Sequence, residues 1–144
     1  MRRIVVAVLA VVGLAAAASA SYHEQQPAGG GEPAWKVQAR TAATHAGFAA
    51  GGDSMSYVEQ HLGHALNCLE GPRGRNFNRA WGHVCEGQGI LVDLRADRAG
   101  MSWILVAEAA DELAVKGLRS RDLAQRKNAA RGVAELLRLI AEAR

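Results

Sequence analysis

The strongest constraint on how this chain folds is where its helix-compatible runs are made to stop. From Ala34 to the C-terminus the sequence reads as helical segments, broken at Gly51-Gly52, Gly71-Pro72 and Gly117. Glycine loses the most backbone entropy in a helix, and proline lacks the amide hydrogen a helix interior needs. Four segments remain between these stops. The first runs from about Ala34 to Ala50 behind Glu32-Pro33, and the second from Asp53 or Ser54, either able to cap, to Leu69. The third spans about Ala99 to Lys116, and the fourth follows Ser120, read as its N-cap, to the C-terminus. The final stretch VAELLRLIAEA is strongly amphipathic. Four such segments, two tight turns and one long connection predict an all-α fold, an antiparallel four-helix bundle. Aromatic residues make up only 5% of the chain and alanine is abundant, so the helices can pack closely.

The long connection, Glu70 to Arg98, is rich in Gly and Arg and carries Cys85. A loop of that length in a compact domain needs a staple or a function. A Cys68–Cys85 disulfide would pin its middle to the end of the second helix, worth roughly 3 kcal/mol in chain-entropy terms. Within it, GILVDL (Gly89 to Leu94) is expected as an extended segment lying across the bundle.

The disulfide expectation rests on the N-terminus. Arg2 and Arg3 precede an apolar run from Ile4 to Ala18, and Ala18-Ser19-Ala20 has the small-x-small pattern of a cleavage site. The run is shorter than the roughly 20 residues that span a bilayer, so residues 1–20 read as a cleaved signal peptide with no stable membrane anchor left behind. No cysteine follows that would take a lipid. The mature protein is then periplasmic or secreted, where a pair of cysteines is most simply a disulfide. Residues 21–33 (SYHEQQPAGGGEP) form a flexible leader, and residues 34–144 the helical domain. The net charge of +3 shrinks when Arg2 and Arg3 leave, and no basic stripe interleaved with aromatics remains, which argues against a nucleic-acid partner.

The chain holds five histidines. At about 100° per residue, Tyr57, His61, His64 and Cys68 share one stripe of the second helix, beside an apolar stripe of Val58, Leu62, Leu66 and Leu69. On the first helix His45 falls near the centre of an arc containing Trp35, Val37, Thr41, Ala42, Phe48 and Ala49. The tight GGDS turn makes these helices neighbours, with His45 and His61 each about two turns from it. Histidines from two helices would thus enter one bundle interior. Neutral imidazole is a common transition-metal ligand, and His45, His61 and His64 together would make a three-histidine site open to water or an outside ligand. Copper, zinc and nickel all accept such donors, and the spacing does not choose between them.

Cleavage after Ala20 would also expose Ser21-Tyr22-His23. Its terminal amine, two amide nitrogens and the His23 imidazole suit square-planar Cu(II) or Ni(II). His83, in WGHVC, would approach the His61/His64 face if the disulfide draws the loop inward, and reads otherwise as a solvated loop residue. Phe77 and Trp81 read as plugs at the bundle edge. Haem is the lesser alternative. Covalent attachment lacks its C-x-x-C-H motif, and a b-type haem would pair His45 or His61 with Met55 or Met101. Hydrolase, zincin, nucleotide and di-iron signatures are missing, and Asp111, Glu112 and Glu135 read as a solvated face. The chain is therefore not expected to be an enzyme.

The run HLGHALNCLEGP, with a later cysteine after an aromatic-Gly segment, resembles a group of small exported bacterial helical proteins sharing an H-L-x-H-x-x-N-C-L-x-G-P-like core. The likeness covers about His45 to Cys85. It implies that His61, His64, Asn67 and Cys68 act as one unit, and it brings no assigned activity. Together these readings point to a small periplasmic transition-metal-binding protein serving storage, buffering or sensing. The alternative is a structural or partner-binding helical module with no metal, whose histidines serve the core and whose alanine-rich helices pack against another protein or a second copy.

Overall fold

Two side-chain caps set where helices begin. Ser54 Oγ accepts the Tyr57 N–H at 3.2 Å, and Asp122 Oδ1 accepts the Gln125 N–H at 2.8 Å. Each satisfies an amide that the first helical turn leaves unpaired. The computed structural model describes residues 31–144, and among these it contains five α-helices and no strand. They are α1 (Ala34–Gly51), α2 (Met55–Glu70), α3 (Ile90–Ala96), α4 (Ile104–Arg119) and α5 (Leu123–Ala141), with 3-10 turns at Arg79–Trp81 and Gly100–Trp103. The residues read above as a signal peptide, most of the expected leader and His23 lie outside the described residues.

Ser120 does not cap the last helix, as its sequence context suggested. It ends α4, and its hydroxyl accepts the Asp122 N–H at 3.1 Å, which leaves Asp122 to start α5. The GILVDL segment is also not extended. It forms most of α3, with Ile90, Leu91 and Leu94 buried on one side and the Asp93 N–H bonded to the Gly89 carbonyl at 3.0 Å. A short apolar run carries no period that separates a strand from a buried helical turn.

α1 packs on α5 and α2, and α4 packs on α5 and α2. The core side of α1 is almost entirely small: Ala39, Ala42, Ala43, Ala46 and Ala49 are buried, with Trp35 at one end. Opposite them α2 supplies Val58, Leu62, Leu66 and Leu69, and α5 supplies Val133, Leu137 and Ile140. Alanine stripes let backbones approach, and the leucines fill the space between. This moves the core face of α1 around from the arc expected above, because Val37 and Phe48 remain nearly half exposed, at 48% and 47%.

The connection after α2 is held at three positions in the last turn of that helix. Asn67, fully buried, donates from Nδ2 to the Asn78 carbonyl at 2.8 Å and the Gly82 carbonyl at 2.5 Å, while its Oδ1 accepts the Asn78 N–H at 3.0 Å. Cys68 is bonded to Cys85, with Cα atoms 5.4 Å apart. The Glu70 carboxylate accepts the Asn76 backbone and side-chain N–H groups, both at 2.6 Å. Gly71 then turns the chain with φ of 70°, where a Cβ would come within 3.0 Å of Gly89 Cα. The disulfide is compatible with an oxidising, extracytoplasmic compartment. Among the described residues no helix is long and apolar enough to cross a membrane.

Arg126 knots the far end. Its side chain is 6% exposed, and it donates to Glu59 Oε2 at 3.0 Å and to the Leu118 and Ser120 carbonyls at 2.9 and 2.8 Å. It thereby ties the start of α5 to α2 and to the end of α4, whose last carbonyls lack helical partners. Asp111 is not on a solvated face as its sequence position suggested. Burial, reinforced by the charge of Glu70, pushes its carboxyl up to about 6.

Candidate metal centre

The site is built by helix geometry on α2 and by the short hairpin that returns from α1. His61 and His64 stand at i, i+3 and so project from one side of α2. Ser54 fixes the start of that helix and hence the register of both. His45 on α1 faces them across the seam between the two helices. Its Nδ1 stands 3.1 Å from His61 Nδ1 and 3.1 Å from His64 Nδ1. The ligand atoms of all three lie within 4.8 Å of one another. Ring centroids are 5.3 Å apart for His45 and His61, and 4.7 Å for His45 and His64.

These contacts pose a proton-counting problem. A ring nitrogen carries either one hydrogen or one lone pair in its plane, never both. His45 Nδ1 can therefore complete a hydrogen bond with His61 or with His64, but not a good one with each. A cation placed among the three would use all three lone pairs. Nitrogen ligands about 2.0–2.1 Å from a tetrahedral ion are roughly 3.3 Å from one another, close to the two spacings at His45. The donor set could thus hold an ion through three imidazoles.

The electrostatics point the same way. Burial, followed by the charges of His64 and His61, pushes the His45 pKa down to about 4. Burial lowers His61, and burial with the neighbouring His61 lowers His64, although the Trp81 carbonyl beside it acts in the opposite sense. Neutral imidazoles are the form that binds a metal.

All three histidines are half-buried rather than enclosed. They lie on the rim of the α1–α2 seam and not in the interior expected from the helical wheel. The alanines of α1 and the leucines of α2 take the interior instead. Aromatic rings line the rim. Tyr57 stacks obliquely on His61 at 4.4 Å and Phe48 meets it edge-on at 5.3 Å. Both are nearly half exposed, at 45% and 47%.

On the other side the 3-10 turn closes over α2. The Trp81 ring lies where a side chain at position 63 would be, since a Cβ on Gly63 would come within 2.3 Å of it. The Trp81 carbonyl accepts from Gln60 Nε2 at 2.6 Å, and the same nitrogen lies 3.0 Å from His64 Nε2. Gln60 and the Trp81 carbonyl were not singled out from the sequence. Gln60 stands one turn before His64, a local signal, whereas the carbonyl arrives through the folded connection.

His83 does not join the cluster. Its Nδ1 accepts the Gly87 N–H at 2.9 Å, and its ring meets Phe77 edge-on at 5.3 Å. Cys68 and Cys85 are both consumed by the disulfide and offer no thiolate. Comparison with known proteins adds nothing to this donor set. No family model, curated protein or solved structure matches the chain.

Proposed function

We propose that this protein binds a single transition-metal ion, Cu, Zn or Ni, through His45, His61 and His64, and that it stores, buffers or senses that ion after export to the periplasm or beyond. The observation that carries this reading is the pair of 3.1 Å contacts meeting at His45 Nδ1, which hydrogen bonds alone cannot both satisfy. The lowered basicity of the three rings supports it, because neutral imidazole is the form that binds a metal. We also read α1, α2, α4 and α5 as an antiparallel four-helix bundle, with α3 as an insertion in the long connection; the order of neighbouring pairs supports that arrangement.

The test is metal loading of protein purified without a His-tag. Equimolar uptake of at least one of Zn(II), Cu(II) and Ni(II) at neutral pH is expected, with loss of that uptake in a His45→Ala, His61→Ala, His64→Ala variant. Uptake well below one ion per chain for all three metals, or normal uptake by the triple variant, sinks the reading. A chain lacking residues 21–23 separates the bundle site from one at His23. A second reading has its own support. Val37, Phe48 and Tyr57 leave an apolar rim along the seam, the kind of surface a partner protein or second copy would cover.

A further inference from the structure

Gln60 stands between His64 and the turn that closes over α2. Its amide nitrogen is 2.6 Å from the Trp81 carbonyl oxygen and 3.0 Å from His64 Nε2. An amide NH2 has two hydrogens to give and accepts nothing, so both contacts are donations. The Trp81 carbonyl beside the His64 ring favours a hydrogen there, but it already accepts from the Gln60 amide, and with the second amide hydrogen aimed at it His64 Nε2 is left to accept, without a hydrogen of its own. A neutral imidazole has one N–H, and that hydrogen is left at Nδ1, the atom facing His45 Nδ1 at 3.1 Å. There it donates to His45. A metal bound at the convergence of the three rings needs the opposite arrangement, with a lone pair at His64 Nδ1 and the hydrogen at Nε2.

The group that holds the Gln60 amide is itself fixed. That group, the Trp81 carbonyl, belongs to the 3-10 turn that Asn67 grips at Asn78 and Gly82 and that the Cys68–Cys85 bridge closes. The Trp81 ring seated on Gly63 fixes the same turn against α2. The donor is therefore presented to His64 by a braced loop.

We propose that Gln60 is a positioning residue that holds His64 in the tautomer opposed to metal capture, so that the ion binds only as the amide turns its NH2 away. This rests on the metal-binding reading above and adds a built-in brake to it. An acceptor at position 60 should release the brake. A carboxylate there would take the Nε2–H of His64, as carboxylates behind metal-bound histidines commonly do, and would leave the Nδ1 lone pair facing inward.

The experiment compares the wild type with Gln60→Glu and Gln60→Leu in the full, untagged chain. Gln60 is exposed on α2, and matched melting curves check that neither change disturbs the fold. Nitrogen-15 NMR of the metal-free proteins reads the His64 tautomer directly. The wild type is expected to carry its hydrogen on Nδ1 and Gln60→Glu on Nε2. Zn(II) titration against a chromophoric chelator is expected to show about tenfold tighter binding for Gln60→Glu, with Gln60→Leu between the two. A wild-type His64 already protonated at Nε2 overturns the inference, as does a Gln60→Glu variant with unchanged tautomer or unchanged zinc affinity. Because the tautomer is read without metal, a wild type that takes up no zinc defeats the metal reading separately, and the NMR spectrum still decides the role of Gln60.

Discussion

Gly63 shows how much of the site is decided by single residues. It lies between His61 and His64, and its missing side chain is the seat of the Trp81 ring. Helix propensity alone favours alanine there by up to about 1 kcal/mol. The ring contact outweighs that, because a Cβ at 2.3 Å forces Trp81 from its place, an overpacking cost of roughly 1–3 kcal/mol. Gly63→Ala is therefore expected to lower stability in urea denaturation; a more stable variant would show that Trp81 is not seated on α2. The three histidines were legible in the sequence because their relations are local: i, i+3 on one helix, and one short hairpin back to the other. Their depth was not legible. The wheel placed His45 in the interior, but a row of alanines one step around α1 lets the helices approach more closely and takes that role.

At the scale of elements, the connection after α2 behaves as a part of that helix. Asn67, Cys68 and Glu70 each bind a different stretch of it. Replacing Cys68 and Cys85 together by serine is expected to cost about 3 kcal/mol, measured by denaturant unfolding. A loss well under 1 kcal/mol would mean that the polar grips of Asn67 and Glu70 hold the loop unaided. The cysteine pair itself was readable from an N-terminus that reads as an export signal and from an even count. The helical form of α3 and the shift of the α5 cap to Asp122 were not. An apolar run of six residues has too little length to display a period, and Ser120 and Asp122 are both good caps that only tertiary packing tells apart. Asp111 was misread for a similar reason, since nothing local announces that the end of α2 will bring Glu70 beside it.

Over the whole molecule, the histidine cluster gives the metal-free fold a pH dependence with a definite sign. The folded state holds His45, His61 and His64 below the ordinary histidine pKa, so on acidification the unfolded chain takes up protons first. Their contribution is complete above about pH 6.5 and is lost as the pH falls toward 4. Asp111, raised in the fold to about 6, works in the opposite direction over the same interval, as one group against three. The melting temperature of metal-free protein is expected to drop between pH 6.5 and 4, and the triple alanine variant to drop less. Equal slopes in the two proteins would remove the cluster as the cause. The separation of rim from core has a further consequence for how such a chain can change over time. The inner sides of α1 and α2 carry the packing, and the outer sides carry the three histidines. Substitutions at positions 45, 61 and 64 can therefore trade imidazole for thiolate or carboxylate without reopening the interior, so that, under the proposed metal-binding function, the donor set can be changed at little risk to the fold.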